Sequence, residues 1–140
     1  VPNRSSWRIA REVFVGKTDQ EARDAVLNGP IAAAYTNYMY NVLRSLGAVD
    51  LYKDDPDMPD EALTAEYVCD KIWVVGSPDT VAEKLEKLYN DVGGFGTVLQ
   101  IQYTYEPFQS WRDNMQLFAQ EVMPALKHLA PDDSSAVAAQ

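Results

Sequence analysis

Cysteine is almost missing from this sequence. Cys69 is the one thiol in 140 residues, so no internal disulfide can form and a Cys-rich zinc site is excluded. Histidine is equally scarce: His128 stands alone. That excludes a two-His metal site and hangs any His-centred triad on one C-terminal residue. Bases are few, 12 Lys and Arg against 21 Asp and Glu, for a formal net charge of −9. This argues against nucleic acid as a partner, because neutralising phosphates needs clustered Lys and Arg. No apolar run approaches the ~20 residues of a membrane helix. The opening residues, Val1-Pro2-Asn3-Arg4-Ser5-Ser6, hold neither an initiator Met nor a signal-peptide core. A processed, cleaved or excised chain in the cytoplasm is expected.

What is present is ordinary: 46% hydrophobic and 24% charged residues, enough apolar matter for a packed core. Residues 7–15 alternate with period two and predict a strand. Thr18 with Glu21 three residues on forms a capping box before a helix from about Asp19 to Leu27. Asn28-Gly29-Pro30 stops that helix, and a second spans Pro30 to about Leu46, with Gly47 as its C-cap. Residues 50–61 crowd six acids around Pro56 and Pro59 and read as an exposed acidic loop; the spacing of a calcium loop is missing. A short helix over 61–70 precedes Ile72-Trp73-Val74-Val75, an apolar run that predicts a parallel strand buried on both faces. Ser77 and Pro78 start a helix whose stripe is Val81, Leu85, Leu88 and Val92. Gly93-Gly94 ends it. A third strand is predicted from Gly96 to Tyr105, and a last helix carries Phe108, Trp111, Met115, Phe118 and Val122 until Pro124 kinks it.

Strands alternating with helices define an α/β class with parallel pairing. Helices following each of three strands would all lie on one side, as in a barrel wall. A (β/α)8 barrel takes about 250 residues, so this length supplies about three of its eight strands. The expected fold is a partial TIM barrel over residues 1–131, with a flexible tail at 132–140. Such a piece leaves an apolar inner face and open edges, so a homo-oligomer is expected. In the first strand Ile9, Val13 and Val15 suit the helix side, and Arg8, Glu12 and Phe14 the interior. In the third, Leu99 and Ile101 suit the helix side, and Gln100 and Gln102 the interior.

Gly93-Gly94-Phe95-Gly96 follows a helix and precedes a strand, the wrong order for a phosphate cradle. Gly76-Ser77-Pro78-Asp79 has the right order, but Asp79 would repel an anion, so a plain helix cap is expected. His128 reads as a surface residue, Cys69 as structural, and Tyr35, Tyr38 and Tyr40 as core or interface.

Three segments together resemble a known family: Trp7 to Val15 with Thr18-Asp19-Gln20-Glu21-Ala22-Arg23; Trp73 to Leu85, with its "VGSPDTVAEKL"; and Gly93 to Thr97 with Trp111 to Leu126. In this order and spacing they resemble the C-terminal part of bacterial luciferase-like flavin-dependent monooxygenases, in particular the limonene-monooxygenase-like branch. The resemblance implies a TIM-barrel enzyme in which reduced FMN, often supplied by a separate flavin reductase, reacts with O2 to a C4a-peroxyflavin that oxygenates a small organic substrate. Relatives using the deazaflavin F420 share the barrel. The alternative is a non-catalytic half-barrel that self-associates through its inner face. Where alkanesulfonate-type relatives carry an Arg and a His near the flavin, this chain has Ala10 and Glu12. Glu12 is the candidate catalytic residue, and Arg8, Glu12, Gln100 and Gln102 are candidate cofactor contacts. The family's main phosphate contacts lie on earlier strands, so no bound cofactor is expected on these 140 residues alone.

Overall fold

The computed structural model describes residues 4–129; the expected tail at 132–140 lies outside them. The elements follow the predicted order. Strand β1 (Arg8–Val15) leads to helix α1 (Asp19–Leu27). Next come α2 (Pro30–Ala34), a π-helical turn (Tyr35–Met39) and α3 (Tyr40–Ser45). The chain continues through α4 (Ala65–Lys71), β2 (Val74–Gly76), α5 (Pro78–Asp91) and β3 (Thr97–Ile101). It ends in α6 (Phe108–Leu117), a second π-helical turn (Phe118–Val122) and α7 (Met123–Ala125).

Local signals place most boundaries. The Glu21 amide donates to Thr18 Oγ1 at 3.1 Å, and the Thr80 amide donates to Ser77 Oγ with Pro78 in the first turn. Gly47, Gly93 and Gly94 take positive φ where helices stop. Three boundaries move. The strand predicted from Gly96 to Tyr105 ends at Ile101, where its pairing with β1 stops. The helix predicted over 61–70 begins only at Ala65, because Thr64 caps it through the Tyr67 amide. The strand predicted at 72–75 shifts to Val74–Gly76, since Ile72 and Trp73 still bond back to the Val68 carbonyl.

All three strands are parallel, in the order β2-β1-β3. The strand order is thus not sequential, and helices pack on both faces of the sheet. Phe14 and Val75 pack with Ala22 and Val26 of α1, Ile31, Tyr35, Trp73 and Tyr105. Val13, Val15 and Val74 pack with Val81 and Leu85 of α5 and with Val122. Both faces of β2 and of the C-terminal half of β1 are apolar, so both must be covered. The N-terminal half is open: Arg8 and Ala10 are exposed, and Leu99 is 48% exposed.

Pairing along β1 is divided. β3 bonds to it across Arg8–Glu12, and β2 only across Val13–Val15. The acidic 50–61 stretch is exposed but braced: Lys53 Nζ lies 2.7 Å from both Asp50 and Asp60, and the Asp54 amide donates to the Tyr67 hydroxyl.

Candidate active site at the strand ends

In parallel α/β folds ligands gather beyond the carboxyl ends of the strands. Three groups of residues lie there or lead there.

The first is the turn from β2 into α5. The Ser77 amide donates to Asp19 Oδ1 at 2.7 Å, and this bond, joined by one from Thr80, holds the Asp19 carboxyl below its ordinary range. A carboxylate of the chain thus fills the position that a phosphate takes at a helix N-terminus. The plain cap expected here is observed, and its anion is Asp19.

The second is Glu12. It is half-buried on the sheet face that also carries Ala10, Leu99 and Ile101. Burial raises its carboxyl above 4.5, opposed by its own backbone amide and the Arg11 charge. Tyr52 and Tyr103 are pushed up by burial and then by the Glu12 charge.

The third is an aromatic cleft of about 300 Å³ where the chain leaves β3, lined by Gln102, Tyr103, Thr104, Tyr105, Phe108 and Trp111. Phe108 stacks on Trp111 with centroids 5.2 Å apart. No side chain of this lining carries a full charge at neutral pH. Tyr103 lines the cleft. Tyr105 is buried, and its hydroxyl has no hydrogen-bond partner among the described residues.

The four candidate residues do not converge. Arg8 shares the face of Glu12 but lies exposed at the opposite end of β1, about 13 Å away at the rise of a strand. Gln100 and Gln102 do not face the interior with Glu12, as the alternation suggested. The pairing of Glu12 with Ile101 and of Arg11 with Gln100 puts Gln100 on the opposite face, beside Val98, which packs against the α5 cluster, and Gln102, just past the strand, bonds to Gln100 there. Gln102 is engaged: Nε2 donates to the Val13 carbonyl at 2.6 Å and to Gln100 Oε1 at 3.3 Å. Asn114, which sequence reading passed over, lies 1% exposed on α6. Its Oδ1 accepts from the Val15 amide at 2.8 Å, and its Nδ2 donates to Gln102 Oε1 at 3.5 Å. Its one sequence signal is its place among Trp111, Met115 and Phe118, inside the apolar stripe.

His128 is exposed, as expected, with Nε2 2.8 Å from Glu86. Cys69 is buried, and burial raises its thiol. Tyr35 is core, donating to the Leu63 carbonyl, and its phenol is pushed up to about 12 by burial.

This parallel α/β unit with a cleft at its strand ends has its relatives among luciferase-like flavin-dependent monooxygenases, and the three-stranded sheet is consistent with part of their TIM barrel. No protein-family model matches the chain. Among curated proteins, it is 32% identical over 126 residues to 3,6-diketocamphane 1,6-monooxygenase of Pseudomonas putida, covering 89% of this chain and 33% of that protein. It is 24% identical to limonene 1,2-monooxygenase of Rhodococcus erythropolis, covering 87% and 29%. Among solved structures, the oxygenating constituent of the Pseudomonas putida 3,6-diketocamphane monooxygenase, a Type II Baeyer-Villiger monooxygenase in complex with FMN, superposes with TM-score 0.79 at 33% identity. That match covers 89% of this chain and 35% of the other. Monooxygenase RslO1 from Streptomyces bottropensis, at 23% identity and TM-score 0.55 over 89% and 32%, shares the fold. The chain spans about a third of the length of the curated relatives it matches.

Proposed function

We propose that these residues form the C-terminal part of a flavin-dependent monooxygenase that oxygenates a small organic substrate with reduced FMN and O2. The observation that carries this reading is the match, over most of the chain, to a monooxygenase whose structure holds FMN. The residues fit such a site in part. Tyr103, Phe108 and Trp111 would hold a ring by stacking. The phosphate has no place at the β2–α5 turn, because Asp19 already accepts there. Bound reduced flavin would supply the oxygen-transfer chemistry with O2. The chain's own part is to wall the substrate from water along the cleft and to hold a proton at the Glu12 carboxyl. A separate reductase delivering the reduced flavin belongs to the same reading. So does self-association through the open face of Ala10 and Leu99.

The test is oxygen consumption by the longer parent protein with reduced FMN and a neutral organic substrate; a parent that consumes no substrate-dependent O2 sinks the reading. The 140 residues alone are expected to leave FMN fluorescence unquenched at micromolar concentration. Tight quenching would contradict the division of the site between this chain and other residues.

A further inference from the structure

The divided pairing of β1 leaves a gap. β3 follows β1 as far as Ile101, opposite Glu12. Beyond that point β3 departs, while β1 continues to Val15 with β2 on its other side. The backbone groups of β1 facing the departed strand are the Val13 carbonyl and the Val15 amide. Both are paired, but by side chains: Gln102 Nε2 donates to Val13 and Asn114 Oδ1 accepts from Val15. The two amides join through Asn114 Nδ2 and Gln102 Oε1. A pair of side chains thus completes the ladder where a strand would have run.

We infer that Asn114 is a positioning residue for the aromatic cleft, acting through Gln102. Were β3 to stay paired past Ile101, residues 102–105 would continue alongside β1. The chain instead turns away, and the cleft opens in that departure, between residues 102–105 and the start of α6 at Phe108. Asn114 lies on the helix that carries Phe108 and Trp111. Its two bonds tie that helix to Val15 and to Gln102, and Gln102 in turn ties the exit of β3 to Val13. Both donors of Gln102 are spent, so its amide is locked. The role of Asn114 rests on reading the cleft as part of the substrate site. Its test separates the two ideas.

Asn114→Asp keeps the acceptor for Val15 and removes the donor to Gln102. In the full 140-residue chain, amide and ring resonances of residues 102–111 are expected to shift more than those around Cys69 or Leu85, while the Val15 amide stays bonded. Should Asn114→Asp fail to fold, Gln102→Met, which keeps length and removes both donors, reads the same segment. Shifts spread evenly over the chain, or lost stability with residues 102–111 unmoved, would overturn the assignment and leave Asn114 as a structural tie. Titration with camphor, a neutral bicyclic ketone, is the second arm. Wild type is expected to show perturbations confined to the cleft, and the variants binding weaker by about tenfold, the scale of one lost hydrogen bond. Failure of wild type to respond to camphor would count against the cleft as a substrate site. The ligand-free shifts would still decide the role of Asn114.

Discussion

The Tyr105 hydroxyl is buried without a partner among the described residues, at a desolvation cost of roughly 1–3 kcal/mol. Its ring is held regardless: Phe14 lies 5.1 Å away between centroids, and a Cβ at Gly29 would fall 2.9 Å from Tyr105 Cε1. Tyr105→Phe keeps those contacts and removes the stranded oxygen. Urea unfolding is expected to show a gain of about 1 kcal/mol; a loss would mean that the hydroxyl has a bond the geometry does not reveal. Asn114 is the opposite case, a buried amide with acceptor and donor both used. Glu12 is intermediate between the two cases, half-buried, with burial raising its carboxyl.

At the scale of elements, caps and ties decide. The α5 N-terminus is held from two sides, by the Ser77 hydroxyl and by Asp19 at the start of α1. Ser77→Ala is expected to cost about 1 kcal/mol in thermal or urea unfolding. At the other end of the chain, His128 meets Glu86 of α5 and the Ala125 carbonyl. The Glu86 hydrogen bond raises the His128 pKa above 6.5. A pKa raised on folding contributes stability that is full below the unfolded value and lost as pH rises through the folded one. Wild type should therefore lose a small increment of stability between about pH 6 and 8 that His128→Gln does not. Identical pH profiles for the two proteins would remove the ion pair from the account.

These local devices were legible because their causes sit within a few residues. Thr18, Ser77-Pro78 and Gly47 each declare an end by spacing alone, and Lys53 could not hide the acidic character of its loop. The face of β3 was not legible. Its alternation is real, but Leu99 and Ile101 look like core, and only the register against β1 assigns them to the side of Glu12. Strand order is equally non-local. Helices on both faces follow from which strand lies in the middle, and no residue of β1 announces that it will.

For the whole molecule the question is what covers the open half of the sheet. Leu99 and Ala10 stand exposed on adjacent strands, and among the described residues the outer edges of β2 and β3 have no strand partner. Exposed edges and apolar faces favour association. Light scattering should find oligomers of wild type, and Leu99→Lys should shift them toward monomer. A monomeric wild type at high concentration would reject this face as an interface. The curated relatives are about three times longer, and a longer chain offers a second way to bury the same surface.

The divided pairing of β1 also bears on how the chain folds. No two strands here are joined by a hairpin, and both partners of β1 arrive late, after long connections. The sheet therefore cannot start from a local pair. Until β2 and β3 are brought to it, β1 is an unpaired segment. Pairings so distant in sequence are slow to close, and an apolar segment left waiting is open to other chains. The same division that shapes the cleft makes the interval before closure the time when this chain is most exposed to aggregation.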